Sequence, residues 1–343
     1  MPNALNLERA DYKGGQSTLC PGCGHDSISN QIISAAYDLN LPMWRVAKFS
    51  GIGCSSKTPA YFLKGSHGFN SVHGRMPSVA TGATTANHEL IAIAVSGDGD
   101  TGSIGMGQFK HVIRRNVPMV YIIENNGVYG LTKGQFSATS DAGQFLRYYG
   151  KNELPAIDLC LEAIIGSATF VARSFSGDSK QAQTLIKAAL SHRGTAVLDI
   201  ISPCVTFNND PKANKSYDYG KKNEIALQEI EYTPRDFVQP HEEITVGDYA
   251  AGETIEVPLH DGSYIRLKKV GNGHDPRNRM EAIRVLEEAQ RDQLFITGLI
   301  YYEEPRQTIG ETLNLTETPL SHLQGDSLRP SKDALETLMR KYM

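Results

Sequence analysis

Three short runs of almost uninterrupted apolar residues, LIAIAV (90–95), VPMVYII (117–123) and TAVLDII (195–201), recur along the chain, and each ends in a turn rich in Gly, Asp, Asn, Ser or Cys. Runs of this length with no polar alternation read as strands covered on both faces. A fourth, WRVAKF (44–49), runs into the glycine-rich GIGCSS of 51–56. Helical periodicity lies between them, in SISNQIISAAYDL (27–39), HGRMPSVATGATTAN (73–87) and IGMGQFKHVIRRN (104–116). Strands alternating with helices imply an α/β fold, a mostly parallel sheet with right-handed crossovers and helices on both faces. Such sheets bind ligands beyond the carboxyl ends of their strands, at a topological switch point. The loops carrying Cys54, Asp98, Asn126 and Cys204 all fall at ends of that kind, so four separate segments are expected on one rim.

After Cys204 the composition turns polar, and TFNNDPKANKSYDYGKKN (206–223) reads as a long loop. The division is therefore placed at 1–210 for the α/β domain and 211–343 for a C-terminal extension that makes subunit contacts. Within the extension, TIEVPLHDGSYIRLKKV (254–270) reads as a hairpin around Asp261-Gly262, RMEAIRVLEEAQRDQ (279–293) as a charged amphipathic helix and LFITGLIYY (294–302) as a last strand.

Charge excludes little except the extremes. With 34 Lys+Arg against 38 Asp+Glu, the net charge of -4 advertises neither nucleic acid nor anionic lipid. The amino-terminal segment has no apolar leader, and no stretch approaches the ~20 apolar residues of a spanning helix. A cytoplasmic protein without a membrane partner is expected. The five cysteines, Cys20, Cys23, Cys54, Cys160 and Cys204, then point to metal or redox chemistry rather than to a disulfide framework.

Gly97-Asp98-Gly99-Asp100-Thr101-Gly102 fits GxGxxG between a strand and a helix, and Glu124 ends the next strand, so a dinucleotide-binding dehydrogenase is one reading. Electrostatics argues against it, because Asp98 sits where a bare pyrophosphate would approach. A divalent cation between the two anions removes the conflict, and Mg²⁺ takes oxygen ligands of the kind that Asp98 and Asn126 offer. GDG followed by NN at this distance resembles the diphosphate–Mg²⁺ motif of thiamine diphosphate enzymes. That resemblance implies Asp98, the Asn126 side chain and the Val128 carbonyl as Mg²⁺ ligands, with Gly97, Gly99 and Asp100 shaping the loop and N–H groups of a helix from Ile104 holding phosphate.

Cys20-Pro-Gly-Cys23 is a knuckle that by itself suits zinc, a cluster or disulfide exchange. Cys54 and Cys204 make four thiolates, which fit structural Zn²⁺ or a [4Fe–4S] cluster equally. Beside a thiamine site, a cluster has electrons to accept and zinc does not. Cys160, in DLCLEAII, reads as a buried core thiol.

CPGCGH (20–25), GIGCSS (51–56), HGR (73–75), GDGD (97–100), NNGVYGLTKGQ (125–135) and SPC (202–204) occur in the order found in β subunits of 2-oxoacid:ferredoxin oxidoreductases. The chain resembles that family over about residues 15–210. The resemblance implies a thiamine diphosphate-binding fold and Cys20, Cys23, Cys54 and Cys204 as ligands of one [4Fe–4S] cluster. It implies cofactor contacts from Gly53, Cys54, Ser55, His73, Gly97, Asp98, Gly99, Asp100, Asn126, Val128, Gly130, Leu131 and Thr132. His25 and His73 fall near the thiamine site, His73 where it meets diphosphate; each is equally a loop histidine bonded to backbone.

The implied reaction is coenzyme A-dependent oxidative decarboxylation of a 2-oxoacid, with electrons leaving through the cluster to ferredoxin. No second, pyrimidine-binding unit is legible, so the activating glutamate is expected from an α subunit, in an α₂β₂ assembly. Lys57 and Lys133 lie where the family's loops approach substrate carboxylates, and either suits the distal carboxylate of 2-oxoglutarate, although both are also ordinary surface lysines. The extension resembles the 2-oxoglutarate members more than those acting on pyruvate or branched-chain 2-oxoacids. From another class, a zinc-stabilised binding subunit without catalysis uses the same cysteines.

Overall fold

The computed structural model describes residues 2–234, 253–259, 261–269, 274–304 and 306–342. Its strands are β1 (Val46–Ser50), β2 (His67–Asn70), β3 (Ile91–Gly97), β4 (Met119–Asn125), β5 (Phe170–Phe175), β6 (Thr195–Ile201), β7 (Glu224–Ala226), β8 (Gln228–Thr233), β9 (Thr254–Pro258), β10 (Tyr264–Lys269) and β11 (Phe295–Tyr302). Besides short turns and two-residue ladders, helices α1 (Gly24–Asp38), α2 (Met76–Ala86), α3 (Met106–Arg114), α4 (Leu159–Ile165), α5 (Ser179–Leu190), α6 (Tyr217–Asn223) and α7 (Arg279–Arg291) connect them.

Alternate side chains of the apolar runs enter two different cores, which is why the runs carry no polar alternation. Ile93 and Val95 of β3, Val120 and Ile122 of β4 and Leu198 and Ile200 of β6 pack with Ile28 and Ile32 of α1 and Leu185 and Ile186 of α5. On the other face Ala92, Ala94, Tyr121, Ile123 and Val197 pack with α2, α3, α4 and α7. Each fully buried aliphatic side chain contributes roughly 1.5–3 kcal/mol, so these two layers hold the sheet.

The sheet runs β7-β11-β5-β6-β4-β3-β1-β2. All its neighbours are parallel except β11 against β5. The register aligns the carboxyl ends: Ser50 pairs with Val95, Gly97 with Glu124 and Asn125 with Ile201. From β1 the chain moves outward to β2 and then back to β3 on the other side, so the crevice opens beyond β1 and β3.

The sequence reading assigns nothing to β5 and α5. Arg173 and Ser174 break the apolar run of β5, yet both are paired inside the fold, Arg173 with Asp158 and Asp199 and Ser174 with Gln181. The segment 206–223 is not one long loop, since its second half forms α6. Nor does residue 210 mark a break in the sheet: β7 and β11, from beyond it, extend the same eight strands, and β8–β10 form a small antiparallel sheet whose Ile255, Val257, Ile265 and Leu267 join the α1/α5 core. The hairpin is β9–β10; His260 and Val270 of that reading lie outside the described residues. No helix among the described residues is long and apolar enough to cross a membrane.

Candidate active site

Asp98, one residue past β3, is 1% exposed and meets three donors. Its Oδ2 accepts the hydroxyls of Ser137 and of Thr139, the latter at 2.7 Å, and its Oδ1 accepts the Asn126 N–H at 3.2 Å. Burial nevertheless raises its pKa above the ordinary carboxylate value, the hydroxyls and the backbone N–H offsetting only part of that cost. Asn126 and Val128 share one tight turn, the Val128 N–H donating to Asn126 Oδ1 at 2.9 Å. Gly127 between them has φ +71°, and a Cβ there would lie 3.1 Å from both Asn208 Nδ2 and Lys215 Cδ, so the turn that sets Asn126 beside Asp98 requires glycine.

Asp100 has the opposite role from Asp98 despite the repeated GDGD. Its Oδ1 accepts the Gly74 N–H at 2.9 Å and meets His73 Nδ1 at 2.9 Å, and its Oδ2 accepts Ser96 Oγ at 2.9 Å. A carboxylate so engaged latches the HGR loop to β3. His73 is therefore oriented through Nδ1 and half exposed, with its other ring nitrogen left to face a ligand. The helix expected from Ile104 begins later: Asp100–Ile104 form one wide π turn and α3 starts at Met106. Such turns recur at functional sites.

The cleft above these residues is lined by His25, Ser55, His73, Asp98, Glu124 and Asn126 among others, with Gly53, Cys54, Gly97, Gly99, Asp100, Val128, Gly130, Leu131 and Thr132 completing it. Every residue expected to touch the cofactor thus lies on one wall or another. Among the buried groups in it, Ser55 Oγ has no hydrogen-bond partner, and the Glu124 carboxyl has only the Thr58 hydroxyl and His25 beside it. Burial raises the Glu124 pKa well above the usual carboxylate range and lowers that of His25 to about 4; the two stand 3.7 Å apart, and His25 Nδ1 itself meets Ser202 Oγ at 2.6 Å. A buried polar atom without a hydrogen-bond partner, such as Ser55 Oγ, is what a polar cofactor satisfies. Lys57 and Lys133 stand on the exposed rim, Lys57 Nζ 3.5 Å from Thr18 Oγ1 and Lys133 in the left-handed region at φ +77°. Neither lines the cleft.

Cys23 immediately precedes α1, Cys54 opens the turn after β1, and Cys204 follows β6. Burial pushes the Cys23 thiol up to about 12 and raises Cys54 and Cys204 as well. Mutual charge adds to this: Cys204 and Cys54 act on Cys23, Cys204 and Cys20 on Cys54, and Cys20 on Cys204. All four sulfurs therefore share one corner. The sulfurs of Cys204 and Cys54 flank Gly130, 3.5 and 3.6 Å from where its Cβ would stand. Among the described residues no three His, Cys, Asp or Glu side chains are gathered as a single ion needs. Cys160 is apart from this corner, fully buried in α4, as expected of a core thiol.

Sequence reading missed Ser137, Thr139 and Lys215, which carry no motif, and gave no role to Ser202, although it opens SPC. Residues 51–200 match the family of C-terminal thiamine pyrophosphate-binding domains of thiamine pyrophosphate enzymes. A 2-oxoacid:ferredoxin oxidoreductase subunit β of Sulfolobus sp is 41% identical over 200 residues, 58% of this chain and 65% of that protein's length. The 2-oxoglutarate synthase subunit KorB of Methanocaldococcus jannaschii is 33% identical over 244 residues, 69% of this chain and 87% of that subunit. The chain belongs to the 2-oxoacid:ferredoxin oxidoreductase β subunits. The solved 2-oxoglutarate:ferredoxin oxidoreductase from Magnetococcus marinus, with 2-oxoglutarate, coenzyme A and succinyl-CoA bound, superposes with a TM-score of 0.74 at 29% identity over 97% of this chain and 96% of that one. Coverage of that extent takes in this chain's strands beyond residue 210 as well as its α/β core. Under this family the GxGxxG segment is part of a thiamine site, and the dehydrogenase reading is set aside.

Proposed function

We propose that the chain is the β subunit of a 2-oxoglutarate:ferredoxin oxidoreductase, which converts 2-oxoglutarate and coenzyme A to succinyl-CoA and CO₂ while reducing ferredoxin. The observation that carries this reading is the convergence of the Asp98/Asn126 cradle and the four thiols on one rim, with an unpartnered Ser55 hydroxyl in the same cleft. The donor set fits Mg²⁺–thiamine diphosphate, held by Asp98, Asn126 and the Val128 carbonyl, and one [4Fe–4S] cluster, held by Cys20, Cys23, Cys54 and Cys204. When bound, the thiazolium supplies the carbanion that attacks the 2-oxo carbon and the cluster supplies one-electron transfer.

The chain's own residues position, exclude water and carry charge. Asp98 supplies the negative charge that lets a cation bridge protein and diphosphate. His73, fixed by Asp100, presents its free nitrogen to the diphosphate. The buried pair His25 and Glu124 lines the cleft, where burial disfavours the charged form of each. Lys57 and Lys133 on the rim supply the positive charge that pairs with a distal carboxylate. The glutamate that activates the aminopyrimidine comes from an α subunit, in an α₂β₂ assembly that works in the cytoplasm, where thiols and clusters stay reduced.

The test is co-purification with the α subunit followed by iron analysis, electron paramagnetic resonance and a panel of 2-oxoacids with ferredoxin and coenzyme A. Expected are about four irons per β chain, a brown protein and fastest turnover of 2-oxoglutarate. Faster turnover of pyruvate or a branched-chain 2-oxoacid overturns the substrate; colourless protein with stoichiometric zinc overturns the cluster.

A further inference from the structure

Asp98 is gripped by the turn at Ser137–Ser140, which follows the NN turn. Ser137 and Thr139 both donate to Oδ2, while Oδ1 accepts only the Asn126 N–H. A carboxylate oxygen accommodates about two donors, so Oδ2 is filled and Oδ1 keeps capacity. Thr139 is itself held on several sides. Its carbonyl accepts Lys215 Nζ at 2.8 Å, and its hydroxyl stands 2.9 Å from Asn125 Oδ1. Asn125 cannot turn away, because its Nδ2 donates to Asp199 Oδ1 at 2.9 Å. Asp199 Oδ2 in turn accepts Arg173 Nε at 3.0 Å, and Arg173 Nη2 reaches Asp158, the cap of α4, at 2.8 Å. The Thr139 hydroxyl has a single proton for two acceptors, and the charged one takes it.

We propose that Thr139, assisted by Ser137, is a positioning residue of the metal–diphosphate site: it fixes the Asp98 carboxylate so that Oδ1 is the oxygen offered to the cation, and the Asn125–Asp199–Arg173–Asp158 chain fixes Thr139. The inference rests on the reading of Asp98 as a Mg²⁺ ligand. Replacing the hydroxyl by a methyl frees one Asp98 lone pair and lets the carboxylate rotate, and partners of this kind are worth roughly 10–100-fold in metal affinity.

The experiment uses the α–β complex stripped of cofactor, with thiamine diphosphate binding followed by calorimetry across a Mg²⁺ series. Thr139→Val is expected to raise the Mg²⁺ concentration for half-saturation about 10–100-fold, with thiamine diphosphate affinity at saturating Mg²⁺ changed far less, and Thr139→Ser to behave as wild type. An unchanged Mg²⁺ requirement in Thr139→Val, or equal impairment of Thr139→Ser, overturns the proposal. Should Thr139→Val fail to fold, Ser137→Ala carries the test: a raised Mg²⁺ requirement supports it and an unchanged one overturns it. Wild-type binding that ignores Mg²⁺ sinks the reading of Asp98 itself, an outcome distinct from loss of the clamp.

Discussion

Asp98 and Asp100 stand two residues apart in one loop and are chemically identical, yet their partners separate them. Asp100 has both oxygens engaged by a backbone N–H, a serine hydroxyl and His73 and has become part of the scaffold. Asp98 accepts only neutral donors, with the Lys215 ammonium acting on it without a hydrogen bond, and burial outweighs them all. A buried carboxylate in that position is expensive unless a cation neutralises it. Asp98→Ala is therefore expected to weaken Mg²⁺-dependent thiamine diphosphate binding by more than about 100-fold, roughly 2.7 kcal/mol, while the fold survives; calorimetry with and without Mg²⁺ measures it. Thiamine diphosphate affinity that is undiminished in the variant would remove Asp98 from the metal site. The motif made Asp98 and Asn126 legible because they are local in sequence. Ser137, Thr139 and Lys215 were not, since hydroxyls and lysines are common in loops and only proximity gives these their role.

At the scale of single elements, β1 shows how a strand carries a loop. Lys48 lies inside an otherwise apolar strand and is 6% exposed. Its ammonium group donates to the carbonyls of Pro59, Phe62 and Leu63 at 2.6, 2.8 and 3.1 Å, and burial lowers its pKa to about 8. Those carbonyls end the segment that begins at Cys54, so Lys48 staples the cysteine loop to the sheet. Lys48→Met leaves three buried acceptors unmatched and is expected to destabilise the fold by about 2–4 kcal/mol. Denaturant unfolding reads this as a lower midpoint at constant slope; a midpoint within error of wild type would show the staple to be idle. In WRVAKF the lysine was only an interruption in a strand, because the acceptors come from a turn whose path the strand pattern does not specify.

For the whole molecule, β11 is the informative strand. It brings residues from beyond 290 back beside β5, antiparallel to that strand and parallel to β7, and makes the extension part of the same sheet as the α/β core. His274 anchors this return: it is 3% exposed, and its Nε2 lies 2.6 Å from the Ile300 carbonyl. Burial lowers its pKa below 6.5, more than the Ile300 carbonyl, Glu281 and Asp275 raise it. The unfolded chain then binds a proton that the folded chain refuses, so stability is complete above pH 6.5 and is lost as pH falls from there toward the depressed folded value. His274→Gln is expected to flatten that part of the stability–pH profile relative to wild type, measured by chemical unfolding across the range; parallel profiles would exclude His274 as the cause.

The sequence by itself determined the α/β class, the rim on which its loops meet and the family, because uninterrupted apolar runs allow only strands covered on both faces and because the metal and thiol motifs are short and contiguous. The tertiary structure decided what depends on distant segments meeting: that Asp98 and Asp100 take different partners, that Thr139 reaches Asp98 and Lys48 the carbonyls after the Cys54 turn, and that β11 pairs antiparallel with β5. Burial sets all of these, since a hydrogen bond or a charge gains its weight only where water is excluded, and which residues lose their water is fixed by the packing of the whole chain.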